Sequence, residues 1–188
     1  MYDTGSSTYS IHRYDPSGPS WTNVGPAIDD RGNSLADALW DEGSNKLYIA
    51  SHMRTGSGAA RLYRYSYDSG TQTFSLDSGF PVDINDEDSE TLTITRDSTG
   101  KLWITWTSGG QVMVNHSTTD DLTWATPFDL PVSDSNADSD DISAIVSFGG
   151  NRVGIMWSNQ GEESVYFAVH NDGAAGTTWE ARAVGGCV

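Results

Sequence analysis

The stretch Lys101-Leu102-Trp103-Ile104-Thr105-Trp106-Thr107 carries apolar side chains at both odd and even positions. A strand on a one-sided sheet alternates apolar with polar residues, whereas a strand covered on both faces does not. Residues 101–107 therefore read as a strand enclosed between two other layers. The pattern occurs twice more, as Lys46-Leu47-Tyr48-Ile49-Ala50-Ser51 and Arg152-Val153-Gly154-Ile155-Met156-Trp157-Ser158. Upstream of each copy lies a fixed frame. Pro26 to Ser34, Pro81 to Ser89 and Pro131 to Ser139 are steps of eight, and Asn33, Asp88 or Asp138 precedes the serine. Ser34 to Lys46 and Ser89 to Lys101 are steps of twelve, and Ser139 to Arg152 is one longer. A period of about fifty residues filled with short strands predicts a propeller or an array of small sheets.

Each unit holds four expected strands. The first follows the serine (36–40, 91–95, 142–147), and the basic-led stretch is the second. The third is 61–67, 111–116 and 164–170. The fourth begins near Phe74, Trp124 or Trp179. Turn-forming runs such as 41–45, 97–100 and 149–151 separate them. No amphipathic helix of useful length is expected. Residues 9–15 match a third strand and 20–24 a fourth, with no partners for the first two. The expected fold is all-β: three four-stranded propeller blades and an N-terminal half blade in an incomplete ring, divided 1–28, 29–83, 84–133 and 134–188. A two-sheet sandwich is the competing architecture, and it would show cleaner alternation. Closed rings hold four to eight blades. The chain is thus expected either to be part of a longer one or to self-associate.

Composition narrows the partners. With 26 acidic and 10 basic residues the net charge is -16. Such a field repels phosphate backbones and anionic lipid, so neither nucleic acid nor a membrane surface is an expected partner. Cations and neutral ligands such as sugars suit it, and solubility alone is the plainer reading. Cys187 is the single cysteine, which excludes an intrachain disulfide and a paired-cysteine metal site. Richness in Ser, Thr, Gly, Asp and Trp reads as secreted or cell-surface, and a removed leader would explain the absence of a signal at the start. Asn115-His116-Ser117 is a glycosylation sequon.

The segment from Val112 to Trp124 resembles the Asp-box repeat of bacterial neuraminidases, Ser-x-Asp-x-Gly-x-Thr-Trp. Ser117, Thr123 and Trp124 match. Thr119 stands where the Asp belongs, with Asp120 beside it, and Asp121 replaces the Gly. Looser copies are Asp15 to Trp21, Asp68 to Phe74 and Asp172 to Trp179, the last with Gly176 and Thr178 in place. The resemblance implies a sialidase-like propeller, secretion, and structural turns built from Ser117, Asp120, Thr123, Trp124, Asp172, Gly176 and Trp179, on the face opposite an active site. It does not carry over the catalytic set. Sialidases use an arginine triad, a Tyr-Glu pair and an Asp, usually with an Arg-Ile-Pro element. No Arg-Ile-Pro occurs here, and the few arginines do not assemble a carboxylate clamp. No catalytic residue is assigned.

Acidic runs connect the fourth strand of one unit to the first of the next: 29–33, 83–90 and 134–141. In a propeller these converge near the axis on the ligand face. Asp37, Trp40, Asp88, Glu90, Asp140 and Asp141 are the candidate ligand contacts. Asp134, Asn136, Asp138 and Asp140 alternate as oxygen donors do in a calcium loop, though without its turn glycine. Turn capping by the repeated Asp-Ser or Asn-Ser pair is the plainer account. Otherwise no cofactor is expected. The dispersed histidines have no metal spacing. Trp103, Trp106 and Trp157, at repeat positions, are expected in the core. The expected function is a non-catalytic extracellular binding or scaffolding segment for glycans. A glycoside hydrolase fragment and a purely structural repeat of a surface protein are the alternatives.

Overall fold

The structure is a computed structural model that describes residues 2–3, 8–53, 58–85, 87–138 and 140–182. Arg54, Asp86, Ser139, Cys187 and the end of the last expected strand lie outside them. The chain is all-β, with the short 3-10 turn Gln160–Glu162 its one helical element among the described residues. Its strands are β1 (Tyr2–Asp3), β2 (Thr8–Asp15), β3 (Ser20–Ala27), β4 (Ser34–Asp41), β5 (Lys46–Met53), β6 (Arg61–Asp68), β7 (Thr73–Leu76), β8 (Val82–Asp83), β9 (Glu90–Arg96), β10 (Leu102–Ser108), β11 (Gln111–His116), β12 (Phe128–Asp129), β13 (Ser143–Phe148), β14 (Arg152–Asn159), β15 (Ser164–Asn171) and β16 (Glu180–Arg182). They form four antiparallel sheets in chain order: β1-β2-β3, β4-β5-β6-β7 with β8 also on β6, β9-β10-β11-β12, and β13-β14-β15-β16. No ring is closed.

Three details depart from the expected strands. The first sheet has a third strand, because Tyr2–Asp3 pairs with Thr8–Tyr9. The second sheet's outer strand is split into β7 and β8, since the backbone turns back at Asp77–Phe80. In the third sheet the outer strand starts at Phe128, not Trp124, because Trp124 belongs to the preceding turn, bridged to Ser117.

Each contact between neighbouring sheets has its own apolar core. Ile28, Ile49, Tyr63 and Tyr65 fill the first. Tyr48, Leu62, Ile94, Leu102, Ile104 and Trp106 are prominent in the second. Trp103, Val112, Ile145, Ile155, Trp157 and Trp179 are prominent in the third. Strand β10 serves two cores, with Leu102, Ile104 and Trp106 on one side and Trp103 on the other. That placement is why its sequence does not alternate. Trp103 and Trp106 are fully buried and Trp157 nearly so, as expected of repeat-position aromatics.

Polar contacts fix how the sheets lean together. The amides of Ile145 and Ser147 on β13 donate to the Thr93 and Thr95 hydroxyls of β9, both at 3.0 Å. On the other side of β9, the Ile94 amide donates to Asp37 Oδ2 at 3.0 Å. The hairpins β4–β5, β9–β10 and β13–β14 each turn through a left-handed residue, Asn45, Gly100 and Asn151. These residue types tolerate that conformation. A four-strand meander puts the first and third connections of each sheet at one end. The second connection and the link to the next sheet lie at the other, and we call these the hairpin end and the linker end.

Candidate functional site

At the linker end a cleft of about 330 Å³ opens between the third and fourth sheets. Asp88 comes from the link into the third sheet and Glu90 from the start of β9, Asp138 from the link into the fourth sheet, and Gly109 and Gly110 from the β10–β11 hairpin. Both glycines have positive φ, 57° and 82°, as a two-residue hairpin of right-handed twist requires. They leave that part of the wall without side chains. Three of the acidic residues singled out in the sequence thus share one site.

Local backbone aims Glu90. The β9–β10 register slips between Thr105, which faces Thr93, and Thr107, which faces Glu90. The extra residues form a bulge in which Thr91 sits at φ 46°. A β-branched residue in the left-handed region is a true outlier, sustained only where its surroundings over-determine it. Bulges of this kind redirect the neighbouring side chain.

The walls are held by polar contacts. Asp88 accepts from the Gly58 amide at 3.1 Å, and the Trp106 indole donates to Glu87 Oε1 at 3.1 Å. Asp141 is 1% exposed. Its carboxylate accepts from the Asp138 amide (2.6 Å), the Ser158 hydroxyl (2.9 Å) and the Gln160 amide (3.0 Å). It ties the last link down rather than facing a ligand. Asp140 is exposed, and its carbonyl accepts from Gln160 Nε2.

The expected calcium run does not converge. Asp134, Asn136, Asp138 and Asp140 are all exposed. The Asp134 carbonyl is taken by the Trp157 indole at 2.8 Å, and Asn136 bridges Gln111. Among the described residues no three of His, Cys, Asp and Glu are grouped to hold a metal.

A second cleft of about 530 Å³ faces the open side of the first strands and is lined in part by Asp37, His52 and Thr91. His52 Nδ1 pairs with the Ser89 carbonyl at 2.8 Å, so this nitrogen carries the proton of the neutral ring. Burial holds the His52 pKa below the ordinary histidine value. Nearby, Asp29 is 1% exposed and pairs with Arg31 at 2.8 Å. Burial would raise the Asp29 pKa, but hydrogen bonds from Arg31 and Ser51 outweigh it and hold it low. Trp40 lies away from these clefts, at the hairpin end.

The hairpin end also holds the turns of the Asp-box resemblance. Asp120 Oδ1 accepts from the Leu122 and Thr123 amides and the Thr123 hydroxyl, at 3.0, 2.9 and 2.9 Å. The Ser117 hydroxyl accepts from the Leu102 amide at 2.9 Å, and the Trp124 indole donates to the Asp121 carbonyl. Asp172 instead accepts from the Ser98 amide of the neighbouring sheet. The Trp179 indole donates to the Gly176 carbonyl, and a Cβ on Gly176 would come within 2.2 Å of His116 Nε2. Asp121, at the motif's glycine position, reaches the preceding sheet. It pairs with Arg64 at 2.7 Å and accepts from the Tyr48 hydroxyl at 2.8 Å. Burial and Asp121 push the Tyr48 pKa up to about 12. The sequon is not a glycan acceptor in the folded chain, because Asn115 is 1% exposed and its amide donates to the Ile84 carbonyl.

Every described arginine is engaged within the chain. Arg31, Arg61, Arg64, Arg96 and Arg182 pair with carboxylates, Arg152 with the Gly149 carbonyl and Arg13 with Gln72. No described arginine lines the linker-end cleft.

No protein-family model matches this sequence, and no curated protein matches it. Solved structures do match its fold. One is a GH43 glycoside hydrolase engineered to display both endo-xylanase and exo-arabinofuranosidase activity, with TM-score 0.56 and 11% identity over 87% of this chain. Another is the NanB sialidase of Streptococcus pneumoniae, with TM-score 0.55 and 14% identity over 89%. The chain spans 34% of the first and 26% of the second. At these identities the likeness is one of fold: an all-β stack of four-stranded antiparallel sheets of the kind found in propeller glycoside hydrolases.

Proposed function

We propose that the chain is an extracellular propeller segment that binds carbohydrate at the linker-end cleft without cleaving it. The observation that carries this reading is the strained bulge at Thr91, next to Glu90, which lines one cleft together with Asp88 and Asp138. Backbone strain of order 1–3 kcal/mol is retained where the local geometry serves a purpose. Carboxylates and open backbone at a glycine turn are hydrogen-bonding partners for sugar hydroxyls. Among the described residues the cleft has no cationic side chain, and the net charge of -16 disfavours an anionic ligand. Calorimetry against xylohexaose, arabinohexaose and 3′-sialyllactose tests the reading, alongside a fluorogenic glycoside panel. Binding of a neutral oligosaccharide is expected, and its component at the linker end, read from the Gly109 and Gly110 amides, is expected to be lost in Asp88→Asn and Glu90→Gln. Absence of binding to every sugar would refute it.

A second reading, a glycoside hydrolase fragment, is favoured by the small share of each matched enzyme that the chain spans. Turnover on the fluorogenic panel would select it. In either case Ile142, Val146 and Met156, each more than half exposed on the last sheet, are covered in the working assembly. Further blades or a second copy would cover them, and sedimentation at high dilution separates the two.

A further inference from the structure

At the hairpin end, a cleft of about 300 Å³ lies between the first and second sheets. Trp40, Tyr67 and Phe74 form its aromatic wall, and His12, Arg13 and Gln72 also line it. Tyr67 and Phe74 meet Trp40 edge-on, with interplanar angles of 85° and 84°. Trp40 itself remains 44% exposed. Its repeat counterparts in the first strands are not aromatic: β9 ends in Ile94-Thr95-Arg96 and β13 in Val146-Ser147-Phe148, with Phe148 one place further along. Packing between sheets therefore does not call for an indole here.

The polar members are also arranged unusually. Gln72 holds a left-handed backbone at φ 56°, and its side-chain oxygen accepts from Arg13 across the cleft. His12 Nδ1 is closed off from solvent without a hydrogen-bond partner among the described residues. Among the described residues the lining contains no carboxylate and one arginine, which disfavours an organic cation on the aromatic wall. The chain's net charge of -16 disfavours an anion. A neutral ligand remains, with an apolar face for the indole and hydroxyls for Gln72 and Arg13. A volume near 300 Å³ is at the small end for ligand sites and suits one ring.

We infer that this cleft is a second carbohydrate site, which takes one neutral sugar ring with its C–H face on Trp40. It is separate from the linker-end cleft and does not depend on it. The test is fluorine NMR of the whole chain labelled with 5-fluorotryptophan, which gives seven signals, one per tryptophan. The Trp40 signal is the one missing from Trp40→Phe. Xylohexaose is expected to shift it saturably, with affinity falling at least tenfold in Trp40→Ala and severalfold in the surface variant Gln72→Ala. Should Trp40→Ala fail to fold, Gln72→Ala still decides the matter. A shift produced by 3′-sialyllactose or an anilinonaphthalene dye but not by xylohexaose would overturn the inference. So would shifts at the Gly109 and Gly110 amides with Trp40 unmoved, a result that leaves the linker-end proposal standing.

Discussion

Thr91, Asp29 and the buried histidines show how single side chains carry the cost of this arrangement. Thr91→Gly would normally weaken a strand by about 0.5–1 kcal/mol. At φ 46° it removes strain instead, so urea denaturation is expected to show no loss or a gain of up to about 1 kcal/mol, while Thr93→Gly loses stability. Acid should act in two stages. His52 and His116 are held below the ordinary value of 6.5 by burial, so their neutral forms contribute stability that is lost as pH falls below about 6.5. Asp29 and Asp97 are buried and Asp77 is partly so, yet hydrogen-bonded partners hold their pKa values below the ordinary aspartate value of 3.8. Their contribution is present above that value and lost as pH falls through the depressed ones. Melting temperature is expected to be level above pH 6.5, to dip first below it and again below about pH 3.8. A single transition near pH 3.8 with no earlier dip would contradict the histidine assignment. At this scale the sequence showed which residue types mattered but not their directions. Asp141 looked like a ligand contact and is spent on three internal donors, because a carboxylate's partners depend on loops that meet only after folding.

Elements were more legible, because periodicity is a local property. The two-sided apolar pattern of residues 102–106 anticipated a strand between two cores, and β10 is that strand. The outer strands were less so. Trp124 looked like the start of a strand but anchors a turn, since one aromatic without an alternating flank does not specify extended backbone. Asp121 is the clearest gain from structure. Read as a departure from a motif's glycine, it is the residue that joins a turn of the third sheet to Arg64 and Tyr48 of the second. Asp121→Gly, though closer to the motif, is expected to lower unfolding free energy by about 1–3 kcal/mol, the range for losing hydrogen bonds to a charged group. Unchanged stability by chemical denaturation would show the pairing to be incidental.

For the whole molecule, sheets lean on one another through separate cores while carrying a net charge of -16. Self-repulsion opposes this compact state and is screened by salt. Melting temperature should therefore rise from low salt to 0.5 M sodium chloride, an ionic strength at which the Debye length is roughly 4 Å. A fall would place the internal ion pairs above global repulsion. We propose that the linker end presents a carbohydrate cleft built by a strained bulge and a glycine hairpin. The most direct measurement is an amide NMR titration of the whole chain with neutral and sialylated oligosaccharides. We predict saturable shifts of the Gly109 and Gly110 amides with a neutral sugar, abolished by Glu90→Gln. Amides that stay still at millimolar concentrations of every sugar would contradict it.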